Sequence, residues 1–397
     1  MIKVLFITKY IPYRADSGIT VRINNLLKCM NGICRLSCVF ICEDKTAADT
    51  ALEKCGLERT NHIVIEKTHT SPMFRYLKHW MGILRPFKEV KSGLREVIEN
   101  EKPDLIWLEF GYIGHLIPFL KQFNLPVYYG SHNYQFHLDL LIWQNMSGIV
   151  RKTIQLPMLF FKMLHERYFF PKADKIFCIS SGDIEKYKTF IPRDRLELLP
   201  YYFDEEKIKD EISFEPGCHY ICMIGGLNSY QNYSAAVFML EELWPKISLE
   251  LPSLHLYIVG RLPSENTPEY TMLKILVQDC KNVILTGRVE SVIPYVLGAS
   301  ANIVPILIGS GVRTKIIESA ACRTPVVSTP IGAEGLPFVD GESICIADSS
   351  EKLVEKIIDI VSSPEIGNRI GNSAFKKFRV CLSLEAGRET LAGILKK

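Results

Sequence analysis

Residues 301–336 read ANIVPILIGSGVRTKIIESAACRTPVVSTPIGAEGL. A short apolar strand, Ile303–Ile306, runs into Gly309-Ser310-Gly311, and a helical pattern opens from about residue 311. Glycines let backbone approach a ligand closely, and the first-turn N–H groups with the helix dipole favour an anion there. Arg313 and Lys315 fall in the expected first turn. Cations at that end oppose the dipole and cost stability unless something negative sits in front of them. A diphosphate suits that requirement. Ser310, Thr314 and Glu318 recur at helical spacing and share a face. Glu318 can then accept hydrogen bonds from sugar hydroxyls while Arg313 and Lys315 hold phosphates. The plainer alternative makes Ser310 the helix cap, pairs Lys315 with Glu318 across one turn and leaves Arg313 solvated. A second strand, Pro325–Ser328, followed by a second glycine turn, Gly332-Ala333-Glu334-Gly335, favours the binding reading.

Working outward, the same alternation fills the chain. Tyr220-Ile221-Cys222-Met223-Ile224 is a buried strand ending in Gly225-Gly226. Strands at 254–259, 282–285, 301–306 and 325–328 follow, with helical stretches between them. Upstream, strand-like runs at 2–8, 36–42, 62–65, 104–108, 125–129 and 175–180 alternate with helices in the same way. The charged stretch 203–217, ending in Pro216-Gly217, reads as a linker. The expected fold class is therefore α/β, with two doubly wound domains in tandem. Two such sheets are expected to face across a cleft and to hold ligand at the carboxyl ends of their strands. Neither domain carries G-x-G-x-x-G after its first strand, and the P-loop pattern is missing, which argues against dinucleotide oxidoreductases and P-loop NTPases.

At 397 residues the chain exceeds one comfortable core, and 47% hydrophobic with 23% charged residues excludes wholesale disorder. The net charge is +3, but residues 1–200 carry 28 Lys+Arg against 20 Asp+Glu, while the remainder carries 19 against 24. A basic first half and an acidic second half suggest different partners. The 12 cysteines are scattered, with no C-x-x-C and no zinc spacing. No signal-peptide layout opens the chain, so a reducing cytoplasm is expected, with the cysteines as small buried hydrophobes. No charge-free apolar run reaches the roughly 18–20 residues of a spanning helix.

The segment 301–336 resembles the donor-binding region of the retaining GT-B glycosyltransferases of family 4, the glycosyl transferase group 1 superfamily. It is closest to the branch that writes G-S-G-x-R-x-K-x-x-E before A-x-x-x-x-P-V-V-S-T and G-A-E-G-L. The resemblance continues upstream through Ile224-Gly225-Gly226-Leu227-Asn228-Ser229-Tyr230-Gln231-Asn232, through Glu241-Glu242-Leu243-Trp244-Pro245 and through Leu256–Arg261. Weaker matches are Pro12, Asp16-Ser17-Gly18, Arg22, His132-Asn133 and Ala173-Asp174 with Ser180. It implies a GT-B-like fold of three parts. These are an acceptor-side Rossmann-like domain over 1–205, a nucleotide-sugar-binding one over 206–375, and a last helix over 376–397 returning to the first.

The implied activity is transfer of a sugar, with retention, from a nucleoside diphosphate sugar to a glycan or a polyprenyl-diphosphate-linked acceptor. The implied setting is cell-surface polysaccharide or lipopolysaccharide biosynthesis. His132 is expected to face the donor sugar, with Arg313 and Lys315 neutralising the departing phosphate. Donor binding would draw on Gly18, Gly226, Asn228, Ser310, Gly311, Glu318, Gly332 and Glu334, with Glu318 on the ribose. No cofactor and no metal are expected. The chain also departs from the family. Ser310 stands where the first acid of the usual E-x7-E pair belongs, Gly18 is followed by Ile19 rather than a second glycine, and the Arg/Lys pair after the 225–226 turn is missing. A non-catalytic nucleotide-sugar-binding protein and a nucleotide-sugar 2-epimerase are the rival readings.

Residues 67–95 hold seven basic side chains and one acid, with apolar residues from Met73 to Ile98 near helical spacing, and 151–175 add six basic and two acidic residues around Met158–Met163. Segments 67–98 and 151–175 are thus expected to lie on an anionic membrane surface, on the inner face of the plasma membrane. The alternative packs these apolar faces on the domain's own sheet. Glu166 is expected to be structural. No recognisable nucleic-acid module is present, and no nucleic-acid partner is expected.

Overall fold

The computed structural model describes residues 1–12, 18–43, 45–46, 49, 60–65, 88–109, 113–145, 148–309 and 311–396. The chain divides into two compact units, Met1–Tyr202 with Gly387–Lys397, and Phe203–Ala386.

The first unit is built on a seven-stranded sheet of order β3-β2-β1-β4-β5-β6-β7. Its strands are β1 (Lys3–Thr8), β2 (Arg35–Cys42), β3 (Thr60–Ile65), β4 (Leu105–Glu109), β5 (Val127–Ser131), β6 (Lys175–Cys178) and β7 (Leu196–Leu198). Every pairing is parallel. Helices α1 (Gly18–Met30), α2 (Lys88–Glu101), α3 (Gln135–Asn145), α4 (Ile149–Phe169) and α5 (Ser181–Tyr187) connect the strands. A parallel sheet needs cover on both faces, which explains the near-continuous apolar strands KVLFIT and LIWLE. Leu5, Ile7, Ile106, Leu108, Val127 and Ile176 form the core on one face. Strand β5 starts two residues later than the sequence pattern suggests, because Leu125-Pro126 ends a turn and Pro126 contributes only its carbonyl, to the N–H of Ile106. The carbonyl-side turn leaves His132 immediately beyond the strand. The three-residue strand β7 was not marked by any apolar run.

The second unit has a six-stranded parallel sheet of order β10-β9-β8-β11-β12-β13. Its strands are β8 (Tyr220–Ile224), β9 (His255–Val259), β10 (Val283–Gly287), β11 (Asn302–Val304), β12 (Val326–Ser328) and β13 (Cys345–Ile346). Its longer helices are α6 (Tyr230–Phe238), α7 (Pro268–Gln278), α8 (Thr314–Ala321), α9 (Ser350–Ser362) and α10 (Pro364–Cys381). Side-chain caps start three of them. Ser229, Thr267 and Ser349 accept the N–H of Asn232, Tyr270 and Lys352. A last helix, α11 (Leu384–Leu395), carries Gly387, where a Cβ would lie 2.6 Å from Cys29 Sγ.

In both sheets the strand order reverses beside the first strand, between β1 and β4 and between β8 and β11. Ligands of open α/β sheets bind outside the carboxyl ends of the strands at such a switch. In the first unit those ends are Thr8 and Glu109. In the second they are Ile224, leading into Gly225-Gly226, and Val304, leading towards Gly309.

Candidate functional site

In the second unit, the glycine turn after β8 meets the start of α8. Gly225 has φ +137°, a conformation that favours glycine, and a Cβ there would come 2.7 Å from Lys315 Nζ. Gly260 behaves alike, with φ +145° and the Gly225 carbonyl 2.4 Å from a hypothetical Cβ. The turn is therefore closed by backbone against backbone. Lys315 Nζ donates to Asn232 Oδ1 at 2.8 Å, and Asn232 Nδ2 donates to the Gly226 carbonyl at 2.9 Å. Arg313 Nη1 reaches Gln231 Oε1 at 3.5 Å. Beneath them, Asn302 on β11 donates to Ser319 Oγ at 2.8 Å and so fixes α8 on the sheet.

The helix starts later than the sequence pattern suggests. Gly309 and Gly311 take φ of +147° and +86°, and helix α8 begins at Thr314. Arg313 is therefore the residue before the helix, with extended φ/ψ, and Lys315 alone sits in the first turn. Burial lowers the proton affinity of Arg313, with Glu334 acting in the opposite sense. Burial, then the charge of Arg313, pulls Lys315 down to about 8, against Glu318 and Cys222. Burial raises the Glu318 carboxyl, against the pull of Lys315 and Lys207. Ionisable groups whose surroundings disfavour their own charge cluster at functional sites.

The other expected donor residues are distributed unevenly around this centre. Gly226 lies next to the exposed Asn228, whose Oδ1 would be 2.6 Å from a Cβ at 226. Gly311 is buried in the loop before α8. Gly332 sits in the short helical turn Pro330–Ala333, and its N–H is taken by the cap Thr329 Oγ1 at 3.0 Å. Its missing side chain makes room for Ser328 Oγ and the Val304 carbonyl, so packing accounts for it. Ser310 lies outside the described residues.

In the first unit, His132 follows β5 and is buried. Its Nε2 lies 2.9 Å from Glu109 Oε1. The same oxygen accepts from Arg22 Nε at 3.1 Å, and Glu109 Oε2 accepts from Trp107 Nε1 at 2.8 Å. Trp107 and Glu109 share a sheet face because strand side chains alternate. Glu109 stands opposite Gly130 in the register, and a Cβ at 130 would be 1.8 Å from Glu109 Oε2. Burial pushes the Glu109 carboxyl up, but Arg22, His132 and Trp107 outweigh it and hold it at about 2. Burial, reinforced by Arg22, lowers His132 to about 4, so the imidazole is neutral near pH 7. Arg22 Nη1 also donates to the carbonyls of Leu199 and Pro200. Gly18 opens α1, exposed, with nothing within 4 Å of a hypothetical Cβ.

Glu109 was missed in the sequence, although a carboxylate ending an otherwise apolar buried strand is a signal in itself. Glu166 is buried and accepts the N–H groups of Gln135 and Phe136 at the start of α3. Burial lifts its carboxyl to about 8.

Of segment 67–98, residues 67–87 lie outside the described residues. In the rest, Val90, Leu94, Val97 and Ile98 of α2 are buried in the core, which corrects the reading of an outward apolar face there. The reason is the partner: Gly93 lets α2 approach Val64 of β3. Helix α4 differs. Ile149, Leu156, Phe160, Leu164 and Tyr168 recur at helical spacing and are exposed, while Leu159 and Phe169 turn inward. Among the described residues no helix is long and apolar enough to cross a membrane, and no group of three or more His, Cys, Asp or Glu is placed to hold a metal. The described cysteines are free thiols.

Residues 218–363 match the protein family Glycosyl transferases group 1. An uncharacterized 44.6 kDa protein in the cps region of Klebsiella pneumoniae is 24% identical over 279 residues, 68% of each chain. A glycosyltransferase from Rickettsia africae superposes with a TM-score of 0.71 at 14% identity, covering 99% of this chain and 97% of that one. HepE of Anabaena, solved in complex with UDP and glucose, gives 0.66 at 13% identity over 100% of both chains. Both sheets of this chain are thus Rossmann-like and α/β, and the fold is that of GT-B glycosyltransferase structures.

Proposed function

We propose that the protein is a glycosyltransferase that moves a sugar, with retention, from a nucleoside diphosphate sugar to a glycan or polyprenyl-diphosphate-linked acceptor in cell-surface polysaccharide or lipopolysaccharide biosynthesis. One observation carries this reading. Arg313 and Lys315, both of lowered proton affinity, stand beside a backbone-tight glycine turn at the switch point of the second sheet. That place lies inside the segment matching Glycosyl transferases group 1. Further support is the cps-region relative and the UDP and glucose in HepE.

The residues then divide the work as follows. Departure of a nucleoside diphosphate develops charge on its terminal phosphate, and Arg313 and Lys315 neutralise it in a setting of reduced solvation. The backbone at Gly226 and Gly311 approaches the diphosphate, and Glu318 accepts from the ribose hydroxyls. His132, kept neutral, orients the donor sugar through its imidazole. No metal and no cofactor enters this scheme. The exposed apolar stripe of α4, with Lys152, Arg167 and Lys172 near it, rests on an anionic lipid surface at the cytoplasmic face of the membrane. Flotation with anionic but not neutral vesicles, weakened by Phe160→Glu, is the expected result. Equal flotation with both would remove the membrane from the scheme.

The deciding experiment is thermal unfolding with UDP, GDP, ADP or no nucleotide, on wild type and Glu318→Ala. Ligand at about 100 times its dissociation constant adds about 2.7 kcal/mol. A shift with one nucleotide, lost in Glu318→Ala, identifies the base and supports the ribose contact. No shift with any of them counts against a donor site here.

A further inference from the structure

The lysine of the site is held by an amide rather than by a carboxylate. Asn232, in the first turn of α6, makes two hydrogen bonds whose partners fix its orientation. An ammonium can only donate, so the atom at 2.8 Å from Lys315 Nζ is the amide oxygen. A backbone carbonyl can only accept, so the atom at 2.9 Å from the Gly226 carbonyl is the amide nitrogen. Asparagine is thereby singled out. Aspartate has no donor for Gly226, and it would cancel the charge of Lys315. Among the described residues Lys315 forms no ion pair with a carboxylate, although Glu318 stands one helical turn away.

We infer that Asn232 is a positioning residue that ties the Lys315 ammonium to the Gly225–Gly226 turn while leaving its positive charge available to a diphosphate. This rests on the donor-site reading above. Gly225 is part of the same device, since a side chain there would strike both Lys315 Nζ and Asn232 Nδ2, at 2.7 and 2.9 Å. Gln231 stands in the same relation to Arg313, at the longer distance of 3.5 Å. Two neighbouring amides at the start of one helix thus meet the two cations at the start of another. An amide oxygen takes one of the three ammonium protons and offers no net charge, so two protons and the full charge remain for the ligand. The groups that bear on Lys315 are Arg313, which with burial lowers its proton affinity to about 8, and Glu318 and Cys222, which raise it. Binding of an anion is therefore expected to weaken as pH rises past that value, and an aspartate at 232 should move the weakening to higher pH.

The test is calorimetric binding of inorganic pyrophosphate, which carries no base, to the full chain between pH 6.5 and 9.5. Wild type is compared with Asn232→Asp, Asn232→Ala and Lys315→Met, after circular dichroism has established that each is folded. Ionisation of pyrophosphate itself is common to all four proteins and cancels in ratios to wild type. Wild type is expected to bind. Asn232→Asp should bind about tenfold more weakly at pH 7, with the ratio recovering towards pH 9. Asn232→Ala should lose affinity of similar size with no such recovery. If both Asn232 variants bind as wild type does across the range, the part given to Asn232 is overturned and the anion site stands. If wild type does not bind, or binds as Lys315→Met does, the anion site itself is overturned and the role of Asn232 with it.

Discussion

Glu109 Oε1 lies 2.9 Å from His132 Nε2, and both side chains are buried in the first unit. The relationship links a residue with an expected role at the sugar to one that sequence reading passed over. The same oxygen holds Arg22, so one carboxylate serves two partners from different elements. Removing its charge leaves a buried guanidinium without compensation. Glu109→Gln is therefore expected to cost about 3–5 kcal/mol, the usual penalty for breaking a buried pair from one side. Urea unfolding followed by circular dichroism measures it. A loss under about 1 kcal/mol would mean that Arg22 finds its compensation in the carbonyls of Leu199 and Pro200 alone.

The neutral state of His132 has a thermodynamic signature. Its folded value near 4 lies below the ordinary 6.5, so between those pH values the unfolded chain takes up a proton that the folded one refuses. Stability falls as pH drops through that window. Glu109 adds to the loss only below its ordinary 4.5, since its folded value is about 2. His132→Gln keeps a donor for Glu109 and removes the titration. The slope of stability against pH between 6 and 5 should then decrease by about 1.4 kcal/mol per pH unit. The buried His165, lowered to about 3, keeps part of the slope in both proteins. Equal slopes in the two would place the His132 proton affinity near its ordinary value.

The strand–glycine–helix rhythm made both sheets legible, because buried parallel strands must be apolar and must turn tightly into the helices that cover them. The Gly225-Gly226 turn at the end of β8 was legible for the same reason, and so was the placing of Lys315 and Glu318 on the helix that follows β11. Three features were not. The late start of α8 follows from positive φ at Gly309 and Gly311, which cannot be read from spacing alone. Glu109 and Gly130 are neighbours only through strand register, which links positions 21 residues apart. The two partners of Asn232 come from a turn before it and a helix far beyond it, so no local pattern announces them. The packing role of Gly332 was not legible either, because a packing glycine and a binding glycine leave the same mark in a sequence.

Glu166 supplies an opposite pH dependence. Its folded value near 8 exceeds the ordinary 4.5, so the folded chain retains a proton that the unfolded chain has lost between those values. The contribution is fully present below 4.5 and is lost as pH rises through 8. Between pH 7 and 8 wild type should lose stability as pH rises, by up to about 1.4 kcal/mol per unit. Glu166→Gln should be flatter there. Chemical denaturation at pH 7, 7.5 and 8 decides the matter, and identical slopes would show that the carboxyl is already ionised at pH 7.

Two glycines of the first unit make opposite predictions. Gly130 has no room, because a Cβ would stand 1.8 Å from Glu109 Oε2, and three donors keep that carboxylate from moving aside. Gly130→Ala should cost about 1–3 kcal/mol or more as an overpacked site. It should also carry His132 out of place. Gly18 has nothing within 4 Å and opens a helix, where alanine is the better residue by up to about 1 kcal/mol. Gly18→Ala should therefore leave stability unchanged or slightly raised. With packing already excluded at Gly18, the substitution tests ligand approach by itself. If Gly18→Ala keeps its melting temperature but loses nucleotide affinity, the missing side chain is there for the ligand. If affinity is also kept, Gly18 is an ordinary helix start.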